Sequence, residues 1–436
     1  MSDPSAAFHP ILPGDLPPLR PTLVRGQGVH VWDVDGRRYL DAISGTFCVQ
    51  LGYGREDLPR AASEAMGRLP FARPSVFESE PSEAYARELL ERVGGPYTRV
   101  ILTSSGSEAV EAALKAAYFA QGGEPRRAHA AHLRRHFHGA TVEALRVTDV
   151  RARRAPYEAW LGPDTALDAT DERALRDALL DATALIAETV PAVGCGAEVP
   201  PPGFLAKLRR ACDAANAYWI ADEVLTGFHR VGPLFAWQRL AQRPEDDGAR
   251  PDIIVFGKGA GCGYAPLGGV LLSERVAKAL EGSAHAPFLH AQTYGGHAVA
   301  CAVGRQVLTA MREEGIEARV REMEPGLEEA LQPLGRHRAV GEVRGMGFLR
   351  GVILHDRDAE EPFPRELRMA ERVEARCRDR GLLVYGGWGS VDGERGDHLL
   401  VAPPLTAEPH HFNQIATILR QVLDEVLREA RSELES

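Results

Sequence analysis

The stretch Ile253-Ile-Val-Phe-Gly-Lys-Gly259 decides the fold, because a short apolar run leads directly into a lysine between two glycines. Such a run is typical of a buried strand in a parallel sheet. Ligands bind at the carboxyl ends of these strands. A lysine there is partly desolvated, which lowers its pKa and suits it to Schiff-base chemistry. A surface lysine is the commoner meaning of so short a motif, so Lys258 needs partners before it indicates a site.

The neighbouring sequence continues the alternation of strands and helices. Ala184 to Glu188 and Ala217 to Ala221 are predicted strands, and Phe204 to Ala215 between them has the apolar spacing of an amphipathic helix. Val100 to Thr103 is a further strand, followed by a turn and a helix over Ser107 to Gln121. This rhythm predicts an α/β fold with a mainly parallel sheet in the middle of the chain.

The two ends of the chain follow a different pattern. Val29 to Leu40 alternates apolar and polar residues around Asp35-Gly36, which indicates a β-hairpin. After Ile316 a helix is followed by short predicted strands, and the last of these covers His398 to Ala402. Thr406 to Ser432 reads as a long charged amphipathic helix. The ends therefore predict small sheets and helices outside the central sheet.

Composition excludes several classes of function. The 436 residues carry a net charge of −10, which gives no electrostatic reason to expect a nucleic acid or an anionic membrane as partner. The first residues lack a basic start followed by an apolar run, and no stretch approaches the roughly 20 apolar residues of a membrane span. The six cysteines stand far apart without a Cys-x-x-Cys motif. We therefore expect a cytoplasmic protein without disulfides.

Two further motifs give Lys258 possible partners. Asp222 ends an apolar strand, and Ser105-Gly106-Ser107 opens a helix whose first N–H groups can face an anion. A lysine for an aldimine, an acid to hold a proton on a ring nitrogen and donors for a phosphate are the three protein groups that a pyridinium-type electron sink needs. Each motif also has an ordinary structural meaning, since Asp222 can cap a turn and Ser107 can cap a helix.

With these motifs the chain resembles the class III aminotransferases, which are pyridoxal-phosphate (PLP) enzymes of fold type I. The resemblance extends over nearly the whole chain, in matching order and spacing. Its motifs are Gly28-Val-His-Val-Trp-Asp-Val-Asp-Gly36, Thr103-Ser-Ser-Gly-Ser-Glu-Ala-Val-Glu111, Phe137-His-Gly-Ala-Thr141, Ile220-Ala-Asp-Glu-Val-Leu-Thr-Gly-Phe228, Pro251-Asp-Ile-Ile-Val-Phe-Gly-Lys-Gly259, Thr293-Tyr-Gly-Gly-His297, Val343-Arg-Gly-Met-Gly347 and Ala402-Pro-Pro-Leu405.

The resemblance implies an architecture and an activity. It implies a large domain over residues 60–315 with a mainly parallel seven-stranded sheet, and a small α+β domain assembled from residues 1–59 and 316–436. It also implies a homodimer with shared active sites. The implied reaction moves an amino group from an amine or amino acid donor to a keto acid through a Lys258 Schiff base.

The resemblance also assigns roles to residues of this sequence. Lys258 would bind PLP and shuttle the proton, and Asp222 would pair with the protonated ring nitrogen, supported by His138. Gly106 and Ser107 would hold the phosphate, together with Thr293 from the neighbouring subunit. The ring would lie between Val224 and Phe137, with Glu188 near its edge.

The substrate side departs most from the family pattern. Tyr385 stands where many amine-converting relatives carry an arginine for the substrate carboxylate, so that role would pass to another group such as Arg395 or be absent. Thr46 and Phe47 match family positions that line the substrate pocket. Leu225 and Thr189 also replace a frequent glutamine and proline. These departures leave the donor and the acceptor open.

Other functions compete with this interpretation. His132, His136 and His138 would suit a metal site if their segment were helical, but it reads as strand and loop.

Gly257, Gly259, Gly261 and Gly263 alternate strictly and do not form the Gly-x-Gly-x-x-Gly motif of a nicotinamide-dependent dehydrogenase. Lys258 and Asp222 together argue against a non-catalytic binding protein. A racemase, a decarboxylase or a carbon–carbon bond-forming enzyme of the same fold stays open as the alternative to transamination.

Overall fold

The computed structural model of the protein describes residues 21–162, 165–283 and 287–434. Within these ranges the strands β1 to β14 are, in chain order, Leu23–Gln27, His30–Asp33, Arg38–Asp41, Tyr97–Thr103, Ala130–His132, Ala184–Glu188, Tyr218–Asp222, Ile253–Phe256, Gly268–Ser273, Val340–Met346, Leu349–Leu354, Leu382–Leu383, Tyr385–Gly387 and His398–Val401.

The helices α1 to α15 within the same ranges are Ser44–Phe47, Asp57–Arg68, Glu80–Val93, Gly106–Ala120, Val142–Arg146, Arg151–Arg154, Glu158–Leu161, Glu172–Leu179, Phe204–Ala214, Ala236–Leu240, Glu274–Glu281, Ala298–Glu313, Ile316–Leu331, Met369–Asp379 and Pro409–Leu434. Short 3₁₀ turns cover Pro125–Arg127, Ala155–Tyr157, Pro244–Asp246, Lys258–Ala260, Gln332–Arg336 and Arg365–Leu367. In none of these described helices is there an apolar stretch long enough to cross a bilayer.

The central sheet has the strand order β4-β9-β8-β7-β6-β5. Strands β5 to β8 are parallel to one another, and β9 runs antiparallel to both of its neighbours. Strands β6 to β9 are buried along their whole length, because helices cover both faces. This confirms the predicted α/β class with a mainly parallel sheet.

The sheet holds six strands in the described residues, one fewer than the resemblance implied. Beyond its β5 edge, Leu133 and Leu167 form an isolated parallel bridge in the place of a further strand. The pairing ends there because Asp168 turns its carboxylate back onto the N–H of Thr170 at 2.8 Å. This local turn ends the extended conformation one residue beyond the bridge.

Two smaller four-stranded sheets contain the ends of the chain. The predicted hairpin is confirmed, since β2 and β3 pair antiparallel and Gly36 takes a left-handed φ of 80° in the turn between them. Strand β12, from the C-terminal part of the chain, pairs parallel with β3. This pairing supports a small domain built from both ends, although the domain boundaries at 60 and 315 stay predictions.

Candidate active site

Three strand ends carry the candidate site. Glu188 ends β6, Asp222 ends β7, and Lys258 follows β8 after one glycine. Glu188 and Asp222 are register partners, and Asp222 in turn pairs with Val255. Because these strands are parallel, their carboxyl ends share one edge of the sheet, and the three side chains lie within electrostatic reach of one another.

Asp222 is a buried carboxylate held from two sides. His138 Nδ1 lies 2.7 Å from its Oδ2, and the N–H of Val224 donates to its Oδ1 at 3.0 Å. The backbone N–H of His138 donates to Thr148 Oγ1 at 2.9 Å, which holds the backbone that carries the imidazole. The contact between His138 and Asp222 that the resemblance implied is therefore present, across 84 residues of sequence.

Lys258 lies in a strained turn beside this carboxylate. Its backbone φ is 42°, in the left-handed region that residues other than glycine seldom adopt. Burial lowers the pKa of its amine, while the charge of Asp222 acts in the opposite direction. A lowered pKa leaves more of the amine unprotonated, which is the form that attacks a carbonyl.

Glu188 is the second buried carboxyl at this edge. Burial and the nearby charge of Asp222 raise its pKa to about 8, although the N–H of Phe137 donates to its Oε2 at 2.8 Å. Its own N–H donates to His136 Nδ1 at 2.9 Å. Glu188 is therefore largely protonated at neutral pH and adds little negative charge beside Asp222.

The start of α4 forms a cradle of small residues. A Cβ on Gly106 would lie 2.8 Å from Val224 Cγ1, so only glycine lets the helix N-terminus approach the turn after Asp222. The first N–H groups of a helix lack partners within the helix and attract anions. Ser107 Oγ accepts the N–H of Ala140 at 3.1 Å. The arrangement suits a phosphate group.

An open cleft of about 370 Å³ joins this cradle to Lys258. Its lining comes from three parts of the chain and consists of Cys48, Ser104, Ser105, Gly106, Lys258, Gly263, Tyr264, Ala265, Pro266 and Leu267. No arginine lines it in the described ranges. Cys48 and Tyr264 were not anticipated from the sequence, although Cys48 directly follows the predicted pocket residues Thr46 and Phe47.

The predicted substrate residues are only partly brought together. Phe47 is buried and meets Tyr385 edge to face, with ring centroids 5.5 Å apart. Thr46, in the same kinked turn, is exposed. Arg395 is exposed and bonds Asp392 at 2.7 Å, and it lines a different cavity with Trp388.

The roles of several residues around the site were not predicted from the sequence. Glu223 is fully buried, and Thr189, which replaces a family proline, donates to its Oε1 at 2.8 Å. Gln50 is also fully buried and packs against Gly259. For Glu223 the signal was its position beside Asp222, whereas nothing in the sequence connects Gln50 with Gly259.

The metal hypothesis finds no support in the geometry. His136 and His138 direct their Nδ1 atoms to the N–H of Glu188 and to Asp222. Among the residues that the structure describes, no group of three or more His, Cys, Asp or Glu side chains could hold a metal ion.

Known proteins resemble this chain along nearly its whole length. The model of the family "Aminotransferase class-III" matches residues 15–423. A probable aminotransferase of Mycobacterium tuberculosis is 33% identical, with 94% of this chain and 90% of the relative covered. A transaminase structure from the marine bacterium Virgibacillus superposes with a TM-score of 0.87 at 25% identity, covering 98% of both chains.

A second solved structure bears on the cofactor. The PMP-bound form of an aminotransferase from Vibrio fluvialis superposes with a TM-score of 0.83 at 26% identity, covering 94% of each chain. These likenesses confirm the resemblance and the fold type, and they favour amino-group transfer over the other outcomes considered. The chain is therefore an enzyme that transfers amino groups and belongs to the class III aminotransferases.

Proposed function

We propose that this enzyme binds PLP at Lys258 and uses it to move an amino group from an amine or amino acid donor to a keto acid. One observation carries the proposal: the half-buried Lys258 lies beside an Asp222 that His138 holds at 2.7 Å. The donors present fit the group, since the cradle at Gly106 has no room for a side chain and the cleft joins it to Lys258. When bound, PLP supplies an electron sink for the substrate carbon.

Lys258 and Asp222 would do the proton work. The Lys258 amine, with its lowered pKa, would bind the cofactor aldehyde and then, once the substrate amine displaces it, carry a proton at Nζ. The Asp222 carboxylate would keep a proton on the pyridine nitrogen. His138 would orient Asp222, and Glu188 would lie near the ring edge as a mostly neutral group.

The remaining cofactor contacts follow from packing. Val224, held between Gly106 and Gly257, would cover one face of the ring. Phe137, whose N–H is fixed by Glu188, would stack on the other. Gly106 and Ser107 would hold the phosphate at the start of α4.

We also propose a homodimer in which the partner subunit contributes to the phosphate site through Thr293. Exposed apolar side chains support it: Phe77, Leu289 and Tyr294 are 65%, 79% and 60% exposed in the single chain. Tyr294 contacts Phe71 with ring centroids 6.3 Å apart. The segments around residues 71–77 and 289–294 therefore form one surface. An apolar surface of this kind beside an exposed Thr293 suits a second copy of the chain.

The dimer has its own test. Sedimentation velocity would give the mass in solution, and Thr293→Ala would report the contribution to cofactor retention. We expect a dimer whose Thr293→Ala variant releases PLP faster. A monomer that retains PLP would contradict the shared site.

For the substrate, we propose that Phe47 and Tyr385 form an aromatic wall beside Lys258, with Thr46 at its edge. The kinked turn that carries Phe47 contacts the 3₁₀ turn Lys258–Ala260, which supports this placement. Arg395 would need to leave Asp392 to reach a substrate carboxylate. Substrate amines and keto acids are the expected small-molecule partners, and the six free cysteines agree with a cytoplasmic enzyme.

The reaction is tested by the visible spectrum of the purified protein and of Lys258→Ala, during addition of a panel of amines. We expect a yellow wild-type protein that bleaches with some amines and recovers with a keto acid, and a variant without the lysine-linked band. A band that persists while the amine is consumed would favour racemisation or decarboxylation. No band after reconstitution with PLP would contradict the proposal.

A further inference from the structure

Two segments far apart in sequence run side by side beneath the candidate site. We name residues 50–55 the clamp segment and residues 258–264 the lysine turn. The N–H of Leu51 donates to Cys262 Sγ at 3.1 Å, and the hydroxyl of Tyr264 donates to Gly52 O at 3.1 Å. The N–H of Arg55 donates to that same hydroxyl at 3.0 Å. The clamp segment therefore contacts the lysine turn along most of its length.

The lysine turn is the part of this pair that needs support. Lys258 and Cys262 both have left-handed backbone conformations, with φ of 42° and 51°. Residues with side chains adopt this region only at a cost and keep it where the surroundings leave no alternative. The contacts of the clamp segment supply such surroundings at Cys262.

Gln50 supplies such restraining surroundings next to Lys258. Its side chain is fully buried, and its Nε2 donates to Gly227 O at 3.1 Å. A Cβ on Gly259 would lie 2.6 to 2.7 Å from the amide atoms of Gln50, so the amide packs directly on the backbone of Gly259. Gly227 closes the turn that begins after Asp222, because its N–H donates to Glu223 O at 2.8 Å. Gln50 thus touches both the lysine turn and residues 223–227, which we name the aspartate turn.

The amide is held in this place at a cost to its own hydrogen bonding. Its Oε1 is buried and has no hydrogen-bond partner in the described residues. A buried acceptor without a partner is unfavourable and is seldom kept without a reason. The backbone of Gln50 is also fixed, since the N–H of Leu405 donates to its carbonyl at 2.7 Å.

We infer that Gln50 is a positioning residue that sets the conformation of Lys258 relative to Asp222. The inference rests on the proposed role of Lys258 as the cofactor lysine. Gln50 fills the space under Gly259 and anchors on Gly227, so the lysine turn cannot relax toward the aspartate turn. Gln50 does not line the cleft that joins Lys258 to the start of α4, so it would act through the lysine turn and not on a bound molecule.

The first test compares Gln50→Ala with the matched control Gln238→Ala. Gln238 Nε2 also donates to a backbone carbonyl, that of Val93 at 3.2 Å, but its contacts lie outside both turns. The readouts are the pH midpoint of the visible band of PLP bound at Lys258 and the rate of PLP release. We expect Gln50→Ala to shift the midpoint by about half a unit or more, to release PLP faster and to lower kcat about 10-fold or more.

The control should keep the wild-type midpoint. An unchanged midpoint and release rate in Gln50→Ala would overturn the inference, and so would an equal shift in both variants. A wild-type protein without any band would instead remove the proposed function, so the two failures can be told apart.

A second test does not depend on how well Gln50→Ala folds. Gly259→Ala places a methyl group against the Gln50 amide, and we expect it to slow PLP binding. In the double variant with Gln50→Ala the methyl group gains space, so the binding rate should recover at least partly. Effects that simply add would overturn the inference, because they would show that the two residues do not act on each other.

Discussion

Asp222 and Glu223 are consecutive carboxylates at the end of β7, and they face different surroundings. Glu223 accepts hydrogen bonds from the hydroxyls of Thr189 and Thr226 and from the N–H groups of Ala236 and Trp237. The Asp222 carboxylate receives only the contacts with His138 and Val224 in the described residues. The acceptor sites of Glu223 are therefore occupied by groups of the protein itself, and its bonds hold the start of α10. Asp222 keeps free acceptor sites for a ligand.

The number of internal hydrogen-bond donors distinguishes a carboxylate that can bind a ligand from one that supports the fold. A buried carboxylate that accepts hydrogen bonds from four internal donors has no acceptor site left for a ligand. One with two donors, beside a lysine of lowered pKa, is arranged for a cation or a protonated ring. If this is right, changes at Asp222 should affect the reaction, and changes at Glu223 should affect stability.

The largest effect is expected for Asp222→Asn. The amide keeps the size of the side chain but loses the charge that would hold a proton on the ring nitrogen. We expect kcat to fall about 1,000-fold with little change in the midpoint of thermal unfolding. Steady-state kinetics and calorimetry on the same preparation check this. Near-normal turnover would show that Asp222 does not perform the proposed role.

Glu223→Gln should give the opposite pattern. One oxygen becomes an NH₂ group that must face an N–H donor of Ala236 or Trp237, and a buried donor then lacks an acceptor. We expect a loss of about 2–3 kcal/mol in the free energy of unfolding, while kcat per folded molecule changes much less than in Asp222→Asn. Urea unfolding measures the first quantity. A variant as stable as wild type would contradict the structural role.

The next effect concerns pH and Glu188. Because its pKa is raised to about 8, the folded protein keeps a proton that the unfolded chain releases above about pH 4.5. The Glu188 contribution to stability therefore falls as pH rises through this window. The Lys258 contribution to stability rises with pH, because its pKa is lowered in the folded protein and the unfolded chain keeps the proton to higher pH.

We expect Glu188→Gln to remove the Glu188 part of this slope. In cofactor-free protein, the variant should gain at least about 2 kcal/mol relative to wild type between about pH 5 and about pH 8. Urea unfolding across this range tests the change, with the exposed Glu91→Gln as a control that should follow wild type. Parallel curves for Glu188→Gln and wild type would show that Glu188 titrates normally.

Thr189→Val should have the smallest effect. It removes one of the four donors to Glu223 while keeping the shape of the side chain. We expect a loss of about 1 kcal/mol in the free energy of unfolding and an unchanged kcat. A larger loss than in Glu223→Gln would contradict the view that the four donors share the support of this carboxylate.

Local signals allowed the strand ends to be predicted from sequence. The strands Ala184–Glu188 and Ile253–Phe256 have the predicted bounds, because a continuous apolar run between polar residues marks a buried strand without help from the rest of the fold. Asp222 and Lys258 were found for the same reason, as polar groups at or just after the ends of such runs.

Contacts between distant segments could not be read in this way. The Glu223 donors and the packing of Gln50 on Gly259 depend on how loops far apart in sequence meet, and no periodicity records that. Arg395 shows the converse, because its nearby partner Asp392, three residues away, competes with any distant role. The pairing of His138 with Asp222 was expected only from the family resemblance.

The most direct test of this account is to reduce the PLP-loaded enzyme with borohydride and to map the label by mass spectrometry of its peptides. We expect one pyridoxyl group per chain, on Lys258, and none there after incubation with an amine donor that converts the cofactor. A label on another lysine, or no label on a protein that still transfers amino groups, would contradict it.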